Sequence, residues 1–172
     1  IDARNRVDEL QRSYAANPKE SRFDIIVGDS FNQYSVPFQL TTLEFTQSLY
    51  SLLNEDGVYL LNLIDSYSNG EFLGSVISTC KEVFPYIQVF SCLPTSISTR
   101  DTFVVVASKQ SLNFNSIPSK IRDAYEYQGK LLREDQIDTL TARSNNRILT
   151  DDFAPVDNLL ARLVNTLGGW KP

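Results

Sequence analysis

The sequence predicts an α/β fold: a mostly parallel sheet that ends in an antiparallel hairpin, followed by a helical C-terminal tail. Three observations carry this reading. First, Phe23-Asp24-Ile25-Ile26-Val27-Gly28-Asp29 and Val58-Tyr59-Leu60-Leu61-Asn62-Leu63-Ile64-Asp65 are short apolar runs, each ending in a carboxylate. Continuous runs of this kind read as strands buried on both faces, as in parallel sheets. Second, the segments that follow each run switch to helical spacing, and strand–helix–strand connections imply right-handed parallel crossovers. Third, only a short Ser/Thr-rich turn separates Tyr86–Cys92 from Thr102–Ala107. A parallel pair needs a longer connection, so these two strands should be antiparallel.

Bulk properties narrow the function classes. At 172 residues, the chain is long enough for a domain with a real core. Hydrophobic content of 42% against 22% charged excludes a disordered polymer. No apolar run approaches the roughly 18 residues of a membrane helix, so no membrane contact is expected of this segment. A formal charge of −5, with no dense Lys/Arg cluster, argues against nucleic acid as a partner. Cys80 and Cys92 lack metal-ligand spacing and there is no His to join them. They read as buried free thiols in a reducing compartment, which places the protein in the cytoplasm. The chain has no Met and opens on Ile1-Asp2-Ala3-Arg4 without a signal-peptide pattern, so it reads as a piece lacking its N-terminal part.

The elements follow in order. Val7, Leu10 and Tyr14 give Asn5–Ala16 one apolar helical face, and Asn17-Pro18 ends it. The strand Phe23–Gly28 comes next, then a polar loop from Asp29 to Leu40. Thr41 with Glu44 three residues on fits a capping box for a helix whose inner face is Phe45, Leu49, Leu52 and Leu53. Asn54–Gly57 reads as a turn, with Gly57 suited to a left-handed position. After the strand Val58–Ile64, Asn69-Gly70 precedes a helix with Phe72, Val76, Ile77, Cys80, Val83 and Phe84 inside, stopped by Pro85. The hairpin strands follow. Beyond Ser108 short helices are expected at Ser119–Tyr127 and Glu134–Ala142. A last helix carries Leu159, Leu160, Leu163, Val164 and Leu167 and closes at Gly168-Gly169.

Several of these segments carry a resemblance. Arg22 to Phe31, Val36-Pro37, Leu40-Thr41-Thr42, Glu44-Phe45, Gly57 to Asp65, Val83-Phe84-Pro85, Phe103 to Ser108 and Leu149 to Asp157 resemble, in this order, the spermidine synthase-like proteins of bacteria. The resemblance implies the C-terminal half of a Rossmann-like, class I S-adenosylmethionine-dependent transferase over residues 1–109, with a helical extension over 110–172. It also implies polyamine biosynthesis: an aminopropyl group moves from decarboxylated S-adenosylmethionine to a small-molecule amine. Methyl transfer from S-adenosylmethionine itself and a non-catalytic α/β binding module remain the alternatives. A homodimer is possible.

The candidate residues follow from both lines. In open parallel sheets ligands sit beyond the carboxyl ends of strands, which is where the pattern puts Asp29. The resemblance makes Asp29 the catalytic carboxylate, taking a proton from the attacking amine or positioning it. Asp2 and Ala3 match the family segment that contacts the cofactor adenine, whose exocyclic amine needs an acceptor. Tyr34 and Phe38 are candidates to line the acceptor pocket. Asp65 is either a substrate contact or the residue that starts a turn before Ser66. The Thr150-Asp151-Asp152 segment invites a metal, but the plainer reading is stronger: Pro155 suits the first turn of the last helix, and Asp157 and its neighbours offset the positive end of its dipole, so no metal is expected. The chain also departs from the family. Ser30-Phe31-Asn32-Gln33 lacks the second carboxylate of the usual polyamine-holding segment, the family's Gln after the next strand is replaced near Asn62, and the Pro94–Thr99 loop differs. These departures leave the acceptor open.

Overall fold

The computed structural model describes residues 2–17, 20–30, 36–93, 100–114 and 129–166, with side chains through residue 161. Five strands form one sheet: β1 (Phe23–Gly28), β2 (Leu53–Ser66), β3 (Tyr86–Ser91), β4 (Arg100–Ser108) and β5 (Lys130–Leu131). The helices are α1 (Ala3–Ala16), α2 (Leu43–Leu52), α3 (Glu71–Lys81), α4 (Glu134–Arg143) and α5 (Val156–Thr166). The order across the sheet is β1-β2-β4-β3-β5. β1 and β2 are parallel, and β4 lies antiparallel to both β2 and β3. β1, β2 and β3 therefore run the same way, as two helical crossovers require. The crossover through α3 skips one place, and the returning hairpin strand β4 fills it. The hairpin is antiparallel as expected. Its second strand is more central than its place in the chain implies, and β5 adds an unforeseen antiparallel partner on β3.

The core lies on one face of this sheet. Tyr59, Leu61 and Leu63 of β2, Phe103 and Val105 of β4 and Val89 of β3 point toward α2 and α3 and are buried. α2 contributes Phe45, Leu49 and Leu52, each fully burying about 1.5–3 kcal/mol of transfer free energy. α3 is buried from Phe72 to Cys80 on every side, because α4 covers the side that faces away from the sheet. Its hydroxyls turn back onto its own backbone: Ser75 Oγ donates to the Glu71 carbonyl and Thr79 Oγ1 to that of Ser75. The contact with α4 depends on Gly74. A Cβ there would fall onto the Leu140 carbonyl group, with the carbonyl carbon at 2.8 Å.

Four expectations change on inspection. β1 is not buried on both faces: Ile25 and Val27 are 59% and 64% exposed. Helices cover only one face of β1, and β2 is its sole neighbour among the described strands. The segment Asn54–Gly57 is not a free turn but an irregular start of β2, where pairing shifts from Phe23↔Leu53 to Ile25↔Val58. Gly57 is required there by space and not by a left-handed φ, since a Cβ would lie 2.8 Å from the Asn54 carbonyl oxygen. The α2 cap is Thr42, whose Oγ1 accepts from Phe45 N at 3.3 Å, while Thr41 Oγ1 donates to the Phe38 carbonyl. Glu44 does not close a capping box; its carboxylate accepts from Asp151 N. Finally, Cys80 is buried but Cys92 is exposed, because it lies just past the end of β3. The helix expected at Ser119–Tyr127 and the Gly168-Gly169 stop lie outside the described residues.

Candidate functional site

The site grows from the end of β1. Gly28 pairs with Leu61 of β2, so the next residues, Asp29 and Asn62, emerge side by side. Asn62 Nδ2 donates to Asp29 Oδ1 at 2.7 Å. By strand alternation both side chains share the sheet face of Val27 and Leu60, opposite the helices. Asp29 is exposed, with its carboxylate held on one oxygen by a neutral donor and open to solvent elsewhere. An amide donor fixes the carboxylate's direction without neutralising its charge, which suits a group that must accept a proton or hold an ammonium.

α1 brings a second piece to the same end. Asp2 caps the helix, its Oδ1 accepting from Asn5 N at 3.2 Å, so the helix starts two residues earlier than the apolar spacing indicated. Ala3 lines a small cavity with Gly28 and Ser30, closed by Val7, Phe45 and Tyr59. The structure thus brings Ala3 to the same end of β1, on the helix-covered face of the sheet and not on the face that bears the Asp29 side chain. The cavity measures about 130 Å³. Pockets for drug-sized ligands span about 300–1,000 Å³, so this cavity is too small to enclose a whole ligand of that size.

Asp65 stands at the end of β2 and is 2% exposed. Its Oδ1 accepts from Ser66 N at 2.7 Å and its Oδ2 from Leu73 N at 2.8 Å. Gly70, at the N-cap of α3, has no side chain to offer, so Asp65 supplies the cap from the neighbouring strand. Burial outweighs the two amide hydrogen bonds and pushes its carboxyl up to about 6. A substrate contact by Asp65 would require these amides to release it. Phe38 is 46% exposed in the short 3-10 turn before α2. Tyr34 lies outside the described residues.

Two features escaped the sequence reading. Asn62 stood out only as a departure from a family pattern, although aligning the carboxylate ends of the two strands places it beside Asp29. The other is Asp151, whose carboxylate holds Arg4 in a two-pronged ion pair, with Nη2–Oδ2 at 2.6 Å and Nη1–Oδ1 at 3.0 Å. The two residues lie 147 positions apart, and no local signal joins them. The metal reading of Thr150-Asp151-Asp152 does not describe this role, and the acidic residue in the first turn of α5 is Asp157. Among the described residues no group of three or more His, Cys, Asp or Glu side chains is placed to hold a metal ion.

Comparison with known proteins bears on the family and the fold. A family model described as spermine/spermidine synthase domain matches residues 9–116. Polyamine aminopropyltransferase 1 of Aquifex aeolicus is 26% identical over 120 residues, which cover 67% of this chain and 43% of that protein. The chain therefore spans less than half the length of this relative. Among solved structures, a probable spermidine synthase from Corynebacterium glutamicum superposes with a TM-score of 0.66 at 18% identity, over 90% of this chain and 54% of that one. A spermidine synthase in complex with the transition-state analogue AdoDATO superposes with a TM-score of 0.51 at 20% identity, over 81% of this chain and 46% of that one. At these identities the two structures bear on the fold, which is that of the class I transferases.

Proposed function

Because the chain belongs to the spermine/spermidine synthase family, we propose that it forms part of a transferase that moves an aminopropyl group from decarboxylated S-adenosylmethionine to a small amine. The observation that carries this reading is Asp29, presented at the carboxyl end of β1 and held by Asn62 at 2.7 Å. In such a transfer the amine nitrogen attacks the carbon beside the sulfonium, the C–S bond breaks, and the sulfonium leaves as a neutral thioether. The amine must shed a proton before or during attack. Asp29 takes that proton or aims the nitrogen, and its exposure lets the proton pass on to water. Asp2 would accept from the adenine amino group and Ala3 would pack against the base; AdoDATO bound to a structural neighbour supports a ligand of the sulfonium-nucleoside type. Tyr34 would line the acceptor pocket, and Asp65 would face it if the helix cap opened.

The test uses the full gene product, supplied in turn with decarboxylated S-adenosylmethionine and S-adenosylmethionine, and with putrescine as first acceptor. Products are separated by mass. An aminopropylated amine is expected, with Asp29→Asn abolishing turnover while leaving folding and donor binding intact. A methylated product from S-adenosylmethionine would replace the proposal with methyl transfer. Donor binding with no product from either donor across a panel of amines would leave a binding module.

A further inference from the structure

Arg4 is in an unusual place for a cation. It sits in the first turn of α1, where the helix dipole disfavours positive charge, yet its side chain is only 20% exposed. Both terminal nitrogens of its guanidinium are engaged. Besides the two prongs to Asp151, Nη1 donates to the Gln39 carbonyl at 2.9 Å and to Thr42 Oγ1 at 3.2 Å, and the group lies 5.6 Å from the Phe45 ring centroid. Asp8 Oδ1 is 4.0 Å from Nε. Thr42 Oγ1 in turn donates to Asp151 Oδ1 at 2.6 Å.

Asp151 is itself held on a stiff mount. It lies in a tight turn closed by Thr150 N to Phe153 O and Phe153 N to Thr150 O, at 3.1 and 3.0 Å. The turn is fastened to the start of α2: Leu43 N donates to Leu149 O at 2.7 Å and Asp151 N to Glu44 Oε2 at 2.9 Å. With Thr42 as the cap, Phe45 stands at the third helical position, so Glu44 closes no capping box and its carboxylate is left to hold this turn.

The helix that Arg4 starts needs such a hold. None of its 14 residues is buried, so packing fixes it weakly. Its other side-chain ties to residues outside the helix, Gln11 to Ser51, Ser13 to Glu20 and Tyr14 to the Ser21 carbonyl among the described residues, lie toward its far end. The first turn, which bears Asp2 and Ala3, depends on the clamp. An exposed ion pair contributes about 0–1 kcal/mol, so a forked, half-buried arrangement serves direction more than stability.

We propose that Asp151 is a positioning residue of the donor site: through Arg4 it sets where Asp2 and Ala3 stand at the end of β1. The C-terminal segment is then part of the site's scaffold without touching the donor. This inference rests on the transferase reading above.

The experiment measures donor affinity by calorimetry, and KM and kcat, for the full gene product as wild type, Asp151→Ala, Asp151→Glu, Arg4→Ala and the Arg4→Ala/Asp151→Ala double variant. Loss of the clamp is expected to weaken decarboxylated S-adenosylmethionine roughly tenfold in Kd and in KM, with kcat at saturation nearly unchanged. The double variant should be no worse than Arg4→Ala alone, and Asp151→Glu should recover part of the affinity. If the two alanine variants lose thermal stability but keep wild-type donor affinity, the clamp is structural only and the inference is overturned. An effect confined to acceptor KM overturns it too. If the wild type binds neither sulfonium donor, the transferase reading itself falls and takes this inference with it. If it binds and Asp151→Ala binds equally, only this inference falls.

Discussion

Asp65 offers a quantitative test of how the sheet and α3 are joined. It is ionisable, 2% exposed, and stands opposite another buried carboxylate, Asp101, in the β2–β4 ladder. Burial moves its carboxyl from 3.8 to about 6 against the opposing pull of the Leu73 and Ser66 amides. At about 1.4 kcal/mol per pH unit, this displacement corresponds to about 3 kcal/mol. The sign follows from proton binding. Below about pH 4 both folded and unfolded states hold the proton and there is no penalty. Between about pH 4 and pH 6 the folded state binds more proton than the unfolded state, so stability falls as pH rises. Above pH 6 the full cost of burying the ionised form remains. Asp65→Asn keeps the shape and one acceptor but never ionises, at an initial cost of about 1–3 kcal/mol for the amide it can no longer receive. Urea unfolding of both proteins at several values between pH 4 and pH 7.5 gives the difference in stability. Titrations common to both cancel in that difference. It should move toward the variant by about 3 kcal/mol across the window, so that the variant equals or surpasses the wild type near neutrality. A flat difference would refute the reasoning. A drift in favour of the wild type would show that the two amides, and not burial, govern the carboxylate.

Other consequences are open to simpler checks. Gly74→Ala pushes a methyl group into the Leu140 carbonyl with backbone on both sides, and should destabilise the fold by about 3 kcal/mol in chemical unfolding. Thiol titration of the native protein should label Cys92 alone, slowly below pH 8 because partial burial and nearby Asp101 both raise its pKa. Cys80, pushed up to about 12 by burial, should react only on unfolding. The exposed Phe23, Ile25 and Val27 share one face of an edge strand, which is an association hazard. Isolated residues 1–172 should therefore self-associate in sedimentation, and Ile25→Lys with Val27→Lys should reduce it. The same isolated chain should bind neither sulfonium donor in the micromolar range in calorimetry, since its cavity at Ala3 and Gly28, about 130 Å³, is too small to enclose one.

The way these features divide shows what a sequence can carry. Strands and helices were legible because their signals are local: apolar runs for β1 and β2, a helical stripe for α2, Pro85 as a stop. The position of Asp29 was legible as well, because a carboxylate at the end of an apolar run is a local pattern with a topological meaning. Burial was less so. The Ile-Ile-Val run looks the same whether one or two faces are covered, and only the placement of α1 and α2 on one side decides that Ile25 and Val27 face solvent. The insertion of β4 between β2 and β3 was hidden for a similar reason, since a short loop fixes antiparallel direction but not which edge the strand takes.

The least legible contacts are those that join distant segments through side chains. Thr41 and Thr42 are equally good caps in sequence, and the choice between them is made by Asp151, which needs Thr42 Oγ1 and Glu44 for its own turn. One distant residue thus touches both helix starts: its carboxylate accepts from Thr42 Oγ1 and from Arg4, and its backbone N–H donates to Glu44. The consequence for function is specific. Asp29 and Asn62 owe their geometry to the β1–β2 register and would survive loss of the C-terminal segment. Asp2 and Ala3 owe theirs to Arg4 and would not. The two halves of the candidate site should therefore fail separately, donor affinity with the clamp and turnover with Asp29.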